Sequence, residues 1–215
     1  MKVTKFGHCC MLIEDGGVRV LTDPGSFSTG QTSARDVNVI LITHEHADHL
    51  HVESLKEFLK NNPGAKVRTN SSVGKILESN GVNFKLLTDG QKEIFGALTI
   101  EAFGKFHAVI HNSIPVIENT GYFIGNRLFY PGDSFTVPPK SVEILALPVE
   151  APWMKLSEAI DYAEKVKPKI CFPVHDGRLR DMRVGSTHKI PKDYLAANGV
   201  EFVVLEESKE HSFDV

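Results

Sequence analysis

Residues 44–49 read His-Glu-His-Ala-Asp-His, four side chains of metal-ligand type in six positions. They follow directly on Val39-Ile40-Leu41-Ile42-Thr43, a short apolar, β-branched run that reads as a buried strand. The four side chains therefore leave a strand end on the loop toward the next helix. Clustering such groups beside an apolar strand has no evident benefit without a cation. Neutral imidazole and carboxylate suit zinc and neighbouring first-row ions. His44 and His46 are two apart, so an extended backbone aims both the same way. Asp48 and His49 follow where the chain turns and can be aimed elsewhere. The natural product is two adjacent half-sites, His44 with His46 and Asp48 with His49. Two metals roughly 3.5–4 Å apart can share a hydroxide and clamp a hydrolytic transition state. Glu45 points away from its neighbours in an extended loop and reads as a non-ligand.

The bulk numbers set the frame for this motif. The chain has 215 residues, 41% hydrophobic and 24% charged, enough for one large globular domain or two small ones. A net charge of −3 supplies no basic field for nucleic acid or a membrane surface. Cys9 and Cys10 are adjacent and cannot pair without strain, and Cys171 stands alone, so no disulfide framework is expected. Reduced cysteines point to a cytoplasmic setting. The first eight residues lack the apolar core of a signal peptide, and no apolar run approaches the roughly 18 residues of a membrane span.

Strands are expected at Val3–Phe6, Met11–Glu14 and Val18–Thr22, the last ending at Asp23-Pro24-Gly25. A small-residue loop, 25–37, leads to the histidine motif. Val52–Asn61 has apolar residues at helical spacing and stops at Pro63-Gly64. Lys66–Thr69, Phe84–Leu87 and Leu98–Ala102 read as strands, with a helix at Val73–Leu77. Gly121–Ile124 and Arg127–Tyr130 form a hairpin across Gly125-Asn126. Val142–Leu147 is an apolar strand, and Ser157–Val166 a helix capped by Ser157. Ile170–Phe172 is the last core strand, Tyr194–Asn198 and Glu201–Leu205 a closing helix and strand, and 206–215 a frayed tail. With no linker and no internal repeat, residues 1–215 read as a single domain.

His44-x-His46-x-Asp48-His49 resembles the signature of the metallo-β-lactamase-fold hydrolases. Gly7-His8-Cys9 is similar to the Gly-His-Ser motif of the branch that includes ascorbate-6-phosphate lactonase-like proteins, with Cys9-Cys10 in place of the usual Ser-Cys. The resemblance implies an α/β fold, a four-layer αβ/βα sandwich with a dinuclear metal site at one edge. It implies His44, His46 and a third histidine for one metal, Asp48, His49 and His175 for the other, and Asp133 of Gly132-Asp133 between them. His107 is the first choice for the third histidine and His111 the alternative. Asp23 is expected to brace the histidine loop through hydrogen bonds. His8 and His111 are candidate proton donors and Asp48 a candidate proton acceptor, while Arg178, Arg180, Arg183 and His188, on a short segment, are candidate anion contacts.

The function implied is a metal-dependent hydrolase of a small anionic molecule, a lactone or phosphoester, with two divalent ions: zinc first, manganese or iron as alternatives. A ribonuclease or phosphodiesterase shares the signature, but the chain is acidic and carries no long basic insertion. A non-catalytic metal-binding protein is disfavoured because structural zinc sites are closed and mononuclear. No membrane partner is expected, and assembly into a homo-oligomer is left open.

Overall fold

Strands of this chain are apolar on alternate residues that face two different cores. Val20, Val39 and Leu41 enter one apolar cluster, whereas Leu21 and Ile40 enter a second. Ile144, Ala146, Ile170 and Phe172 enter that same first cluster, and Leu145, Leu147 and Cys171 a third. A strand buried on both faces has to be covered on both, so two sheets stack face to face and helices close the outer sides. The computed structural model describes residues 1–214, apart from the side chain of Asp181.

The first sheet takes β1 (Lys2–Lys5), β2 (Met11–Asp15), β3 (Val18–Thr22), β4 (Val39–Leu41), β5 (Lys66–Thr69) and β6 (Phe84–Leu86) in chain order. The second holds β7 (Lys92–Phe95), β8 (Leu98–Phe103), β9 (Gly121–Ile124), β10 (Leu128–Tyr130), β11 (Ile144–Pro148), β12 (Ile170–Val174) and β13 (Glu201–Phe202), again in order. Helices α1 (Val52–Asn61) and α2 (Ser71–Ser79) bury Leu55, Phe58, Val73 and Leu77 against the first sheet. Helices α3 (Leu156–Val166) and α4 (Asp181–Ala197) bury Ala159, Tyr162, Ala163 and Leu195 against the second. The result is the expected αβ/βα sandwich. Among the described residues, no helix is long and apolar enough to cross a membrane.

Several local expectations need correction. The tail is not frayed: β14 (Glu210–Ser212) pairs antiparallel with β1 and completes the first sheet at seven strands. Phe213 follows it, 2% exposed and stacked 5.7 Å from Phe172, which is the apolar anchor that holds a polar segment down. Val215 lies outside the described residues. The closing helix begins at 181, not 194, and carries Pro191 in its interior. Ser157 does not cap α3; the helix starts one residue earlier, and the Glu158 carboxylate accepts the Lys155 N–H at 2.6 Å. β7 was not expected, being a four-residue edge strand that buries Phe95 and leaves Ile94 largely exposed.

β3, β4 and β5 run parallel, as do β10, β11 and β12. Their C-terminal ends carry Asp23, the 44–49 loop, Asp133 and His175 to one edge of the sandwich.

Candidate metal centre

Two groups of side chains meet at that edge. His44, His46, His107 and Asp133 form one; His8, Asp48, His49 and His175 form the other, each with ligand-type atoms within 4.8 Å of one another. His44, His49, His107, Asp133 and His175 are buried.

The backbone is shaped for this. Leu41 O accepts the Asp23 N–H at 2.9 Å, and Ala47 O accepts the Ser26 N–H at 2.8 Å, which ties the loop after β3 to the histidine loop. Gly25 lies so close that a Cβ there would fall 1.8 Å from Asp48 O, so only glycine fits. Gly132 holds a φ of +63°, and its missing side chain leaves room for Asn119 and Thr43. His8, Asp23 and His175 also hold positive φ, at 39°, 34° and 63°. Non-glycine residues rarely do so, and such backbone concentrates at functional sites.

The outer nitrogen of each buried histidine is already committed. His49 Nδ1 donates to Asp23 Oδ2 at 2.7 Å. His107 Nδ1 donates to Ala108 O at 2.6 Å, and His175 Nδ1 donates to Glu150 O. Thr43 Oγ1 donates to Asp23 Oδ2 at 2.6 Å and accepts from His44 Nδ1 at 3.0 Å. Each bond fixes the proton on Nδ1 and turns the Nε2 lone pair inward. Asp23 anchors the arrangement, fully buried, accepting also the Thr43 N–H at 2.7 Å and the Tyr130 hydroxyl at 2.5 Å.

The Asp133 carboxylate stands between the two groups. Its Oδ2 is 3.4 Å from His107 Nε2 and 3.0 Å from His175 Nε2; its Oδ1 is 3.2 Å from His49 Nε2. These approaches lack hydrogen-bond alignment, so Asp133 Oδ1 and the Nε2 atoms of His49, His107 and His175 are buried with no hydrogen-bond partner. Four such atoms gathered around one carboxylate and spread over both groups are costly unless cations stand among them. His44 Nε2 and His46 Nδ1 are 3.1 Å apart, close to the roughly 3.3 Å that separates two nitrogens held 2.0–2.1 Å from a tetrahedral cation. The donor set thus fits divalent metal ions.

Charge supports the same fit. Burial pushes the His44 and His46 pKa values down, leaving neutral imidazoles of the kind that bind metal. Burial also disfavours a cation at His49, but Asp133 and Asp23 outweigh it and hold its pKa well above the usual value. Burial would likewise raise Asp48 and Asp133, yet the surrounding histidines keep both carboxyls well below the usual range. The site calls for positive charge, which a metal supplies by displacing protons.

His8, a member of the second group, is fully buried. The Gly177 N–H donates to its Nδ1 at 3.2 Å, so its proton sits on Nε2 and points to Asp48 Oδ2, 3.2 Å away. Burial pushes its pKa down to about 4 against the pull of Asp48. It is a neutral donor to Asp48.

The remaining candidates lie elsewhere. His111 is exposed, bonded to Ser113, and belongs to neither group. Arg178 and Arg180 are exposed on the loop after His175. Arg183 and His188 sit on α4, not on a short segment with them, and His188 Nε2 donates to Asp176 Oδ2 at 2.9 Å. Lys5 meets the other oxygen of Asp176 at 2.5 Å, so this trio ties β1 and α4 to the His175 loop.

Two contributors carry no sequence signal. Trp153, the chain's one tryptophan, donates its indole N–H to Asp133 Oδ2 at 2.8 Å. Asn119 Oδ1 accepts the Asp133 N–H at 3.0 Å while its amide donates to Pro131 O at 2.9 Å.

Comparison with known proteins bears on this arrangement. The profile of a family described as "Beta-lactamase superfamily domain" matches residues 2–175. The chain belongs to the beta-lactamase superfamily. It is similar to protein Rv0786c of Mycobacterium tuberculosis, 39% identical over 210 residues that cover 90% of this chain and 98% of that one. It is also similar to a UPF0173 metal-dependent hydrolase of Archaeoglobus fulgidus, 25% identical over 245 aligned positions and 100% of both chains. Among solved structures, Igni18, a metallo hydrolase from Ignicoccus hospitalis, superposes with a TM-score of 0.78 over 100% of this chain and 98% of its own, at 19% identity. That likeness is one of fold.

Proposed function

We propose that this metal-dependent hydrolase of the beta-lactamase superfamily works with two divalent ions, zinc in the first instance and manganese or iron as alternatives. His44, His46 and His107 would hold one, Asp48, His49 and His175 the other, with Asp133 shared. The observation that carries the reading is the position of Asp133, whose two oxygens reach histidines of both groups. Bound there, the ions would supply Lewis acidity and make a water nucleophilic at neutral pH.

The protein's own part is orientation and proton handling. Asp23 and the backbone carbonyls of Ala108 and Glu150 hold the histidine rings in one tautomer. His8 donates to Asp48 and steers the carboxylate that orients the nucleophile and accepts its proton. His8 is buried and bonded to Asp48, and the exposed His111 would have to swing inward to protonate a leaving group. The substrate is a small molecule with a lactone or phosphoester bond, any anionic portion lying toward Arg178 and Arg180. Residues 1–215 act as one unit, in the cytoplasm, where the buried free thiols Cys9, Cys10 and Cys171 stay reduced.

The test is turnover of lactones and phosphodiesters by protein loaded with zinc or manganese, beside His44→Ala and Asp48→Asn. Activity that needs the metal and falls at least about a hundredfold in both variants is expected. Turnover that persists in both variants, or none with any metal, contradicts the reading.

A further inference from the structure

The loop between β8 and β9 departs from the rest of the surface. Phe106, Val109, Ile114 and Val116 are 65%, 55%, 46% and 47% exposed, an unusual gathering of apolar side chains in one short segment. The loop is tied at its base: Phe106 bridges to Glu118, and the His107 N–H donates to Ile117 O at 3.0 Å. Beneath it lies a cavity of about 250 Å³. His46 and His107 line it together with Ala108, Ile110, Ile114 and Ile117. Among the described residues, no lysine, arginine or carboxylate lines it.

Both histidines belong to the first candidate metal group, so the cavity adjoins that group. An apolar space there cannot be meant for phosphate, which needs donors, or for a cation, which needs carboxylates. Its size falls below the roughly 300–1,000 Å³ of pockets that enclose drug-sized ligands, so it takes part of a molecule. Arg178 and Arg180 follow His175, which belongs to the opposite group. The apolar cavity thus adjoins the first group, while the exposed arginines follow a member of the second in sequence.

We propose that this cavity holds the aliphatic acyl chain of the substrate, so that the substrate class is a short-chain acyl ester or lactone. The proposal rests on the hydrolase reading above and narrows it. Hydrolysis breaks the bond between acyl carbon and alkoxy oxygen; the hydroxide oxygen stays on the acyl carbon, and a proton ends on the released alcohol. The loop supplies the apolar wall, and the chain length it accepts sets specificity.

The test is binding of a series of straight-chain alkyl hydroxamates, acetyl to octanoyl, to zinc-loaded protein, read by the fluorescence of Trp153. Its ring lies 6.0 Å from that of His107. Affinity should rise by up to about fourfold for each methylene that enters, then level off when the cavity is full. Ile114→Glu, at an exposed position that spares the fold, should flatten the series; Ile114→Leu should restore it. The matching esters should show the same slope in kcat/KM. A flat series in the wild type overturns the proposal, even where an acetyl ester is hydrolysed with metal and the hydrolase reading stands. A flat series together with a dimer that Ile114→Glu separates, seen by light scattering, assigns the loop to a second copy and also overturns it. Protein that takes up no metal removes the hydrolase reading, and this proposal with it.

Discussion

Asp23 shows how one side chain can hold a site together. Its Oδ2 accepts from Thr43 Oγ1, His49 Nδ1 and Tyr130 OH, and its Oδ1 from the Thr43 N–H. An asparagine cannot replace it, because its amide would turn a donor toward a donor in either orientation. Asp23→Asn is expected to weaken metal binding by roughly 10–100-fold, measured by competition with a chelator. Unchanged affinity would remove Asp23 from the site's support. Trp153 invites the parallel test. Trp153→Phe keeps the packing against Phe135 but frees the Asp133 oxygen, and a similar loss of affinity is expected. The 44–49 motif was legible because its members are neighbours in sequence and its spacing has a direct geometric meaning. Trp153, Asn119 and Glu150 were not, because a single donor or a backbone carbonyl leaves no pattern to read.

Among elements, the pairing of β5 with β7 across the two sheets is the informative case. Arg68, 3% exposed, donates from Nε and Nη2 to the two oxygens of Glu93, both at 2.5 Å. The Arg68 hydrogen bonds hold the Glu93 pKa below its ordinary value of 4.5. A carboxyl with a depressed pKa adds stability that is complete above its unfolded value and lost as pH falls through the folded one. Glu93→Gln is therefore expected to cost about 1–3 kcal/mol at neutral pH, by urea unfolding. The gap to wild type should close as the pH falls below about 4.5. A gap that does not change with pH would mean the pair contributes through packing alone. Strands and helices with two-sided or helical apolar spacing were readable from the residues. β7 and β14 were not, being only three or four residues long and at sheet edges, where partner strands and not side chains decide. Most of α4 was hidden because Gly185 and Pro191 interrupt the helical pattern, leaving tertiary packing through Leu195 to hold it.

At the scale of the whole molecule, two sheets and their cores exist to bring several strand ends to one edge. The chain's last described strand matters to this as much as its first. β14 closes the first sheet, and Phe213 enters the core shared by both sheets. Phe213→Ala should cost about 3–5 kcal/mol, and a much smaller loss would make the C-terminal segment dispensable. Both half-sites draw on both sheets: His107 from the second joins His44 and His46 from the first, and His175 joins Asp48 and His49. That division is why, after the first motif, the rest of the ligand set was readable only through the resemblance, which pointed to Asp133 and His175 and preferred His107 to His111. The fold adds the physical difference, His107 being buried and His111 exposed.

The central claim is that one carboxylate, Asp133, serves two metal ions. Elemental analysis of purified wild type beside His44→Ala and Asp133→Ala tests it directly, with circular dichroism to verify folding. The account predicts close to two divalent ions per wild-type chain and a clear loss in both variants, deeper in Asp133→Ala because both sites share it. One ion or none in the wild type, unchanged by either substitution, would contradict it.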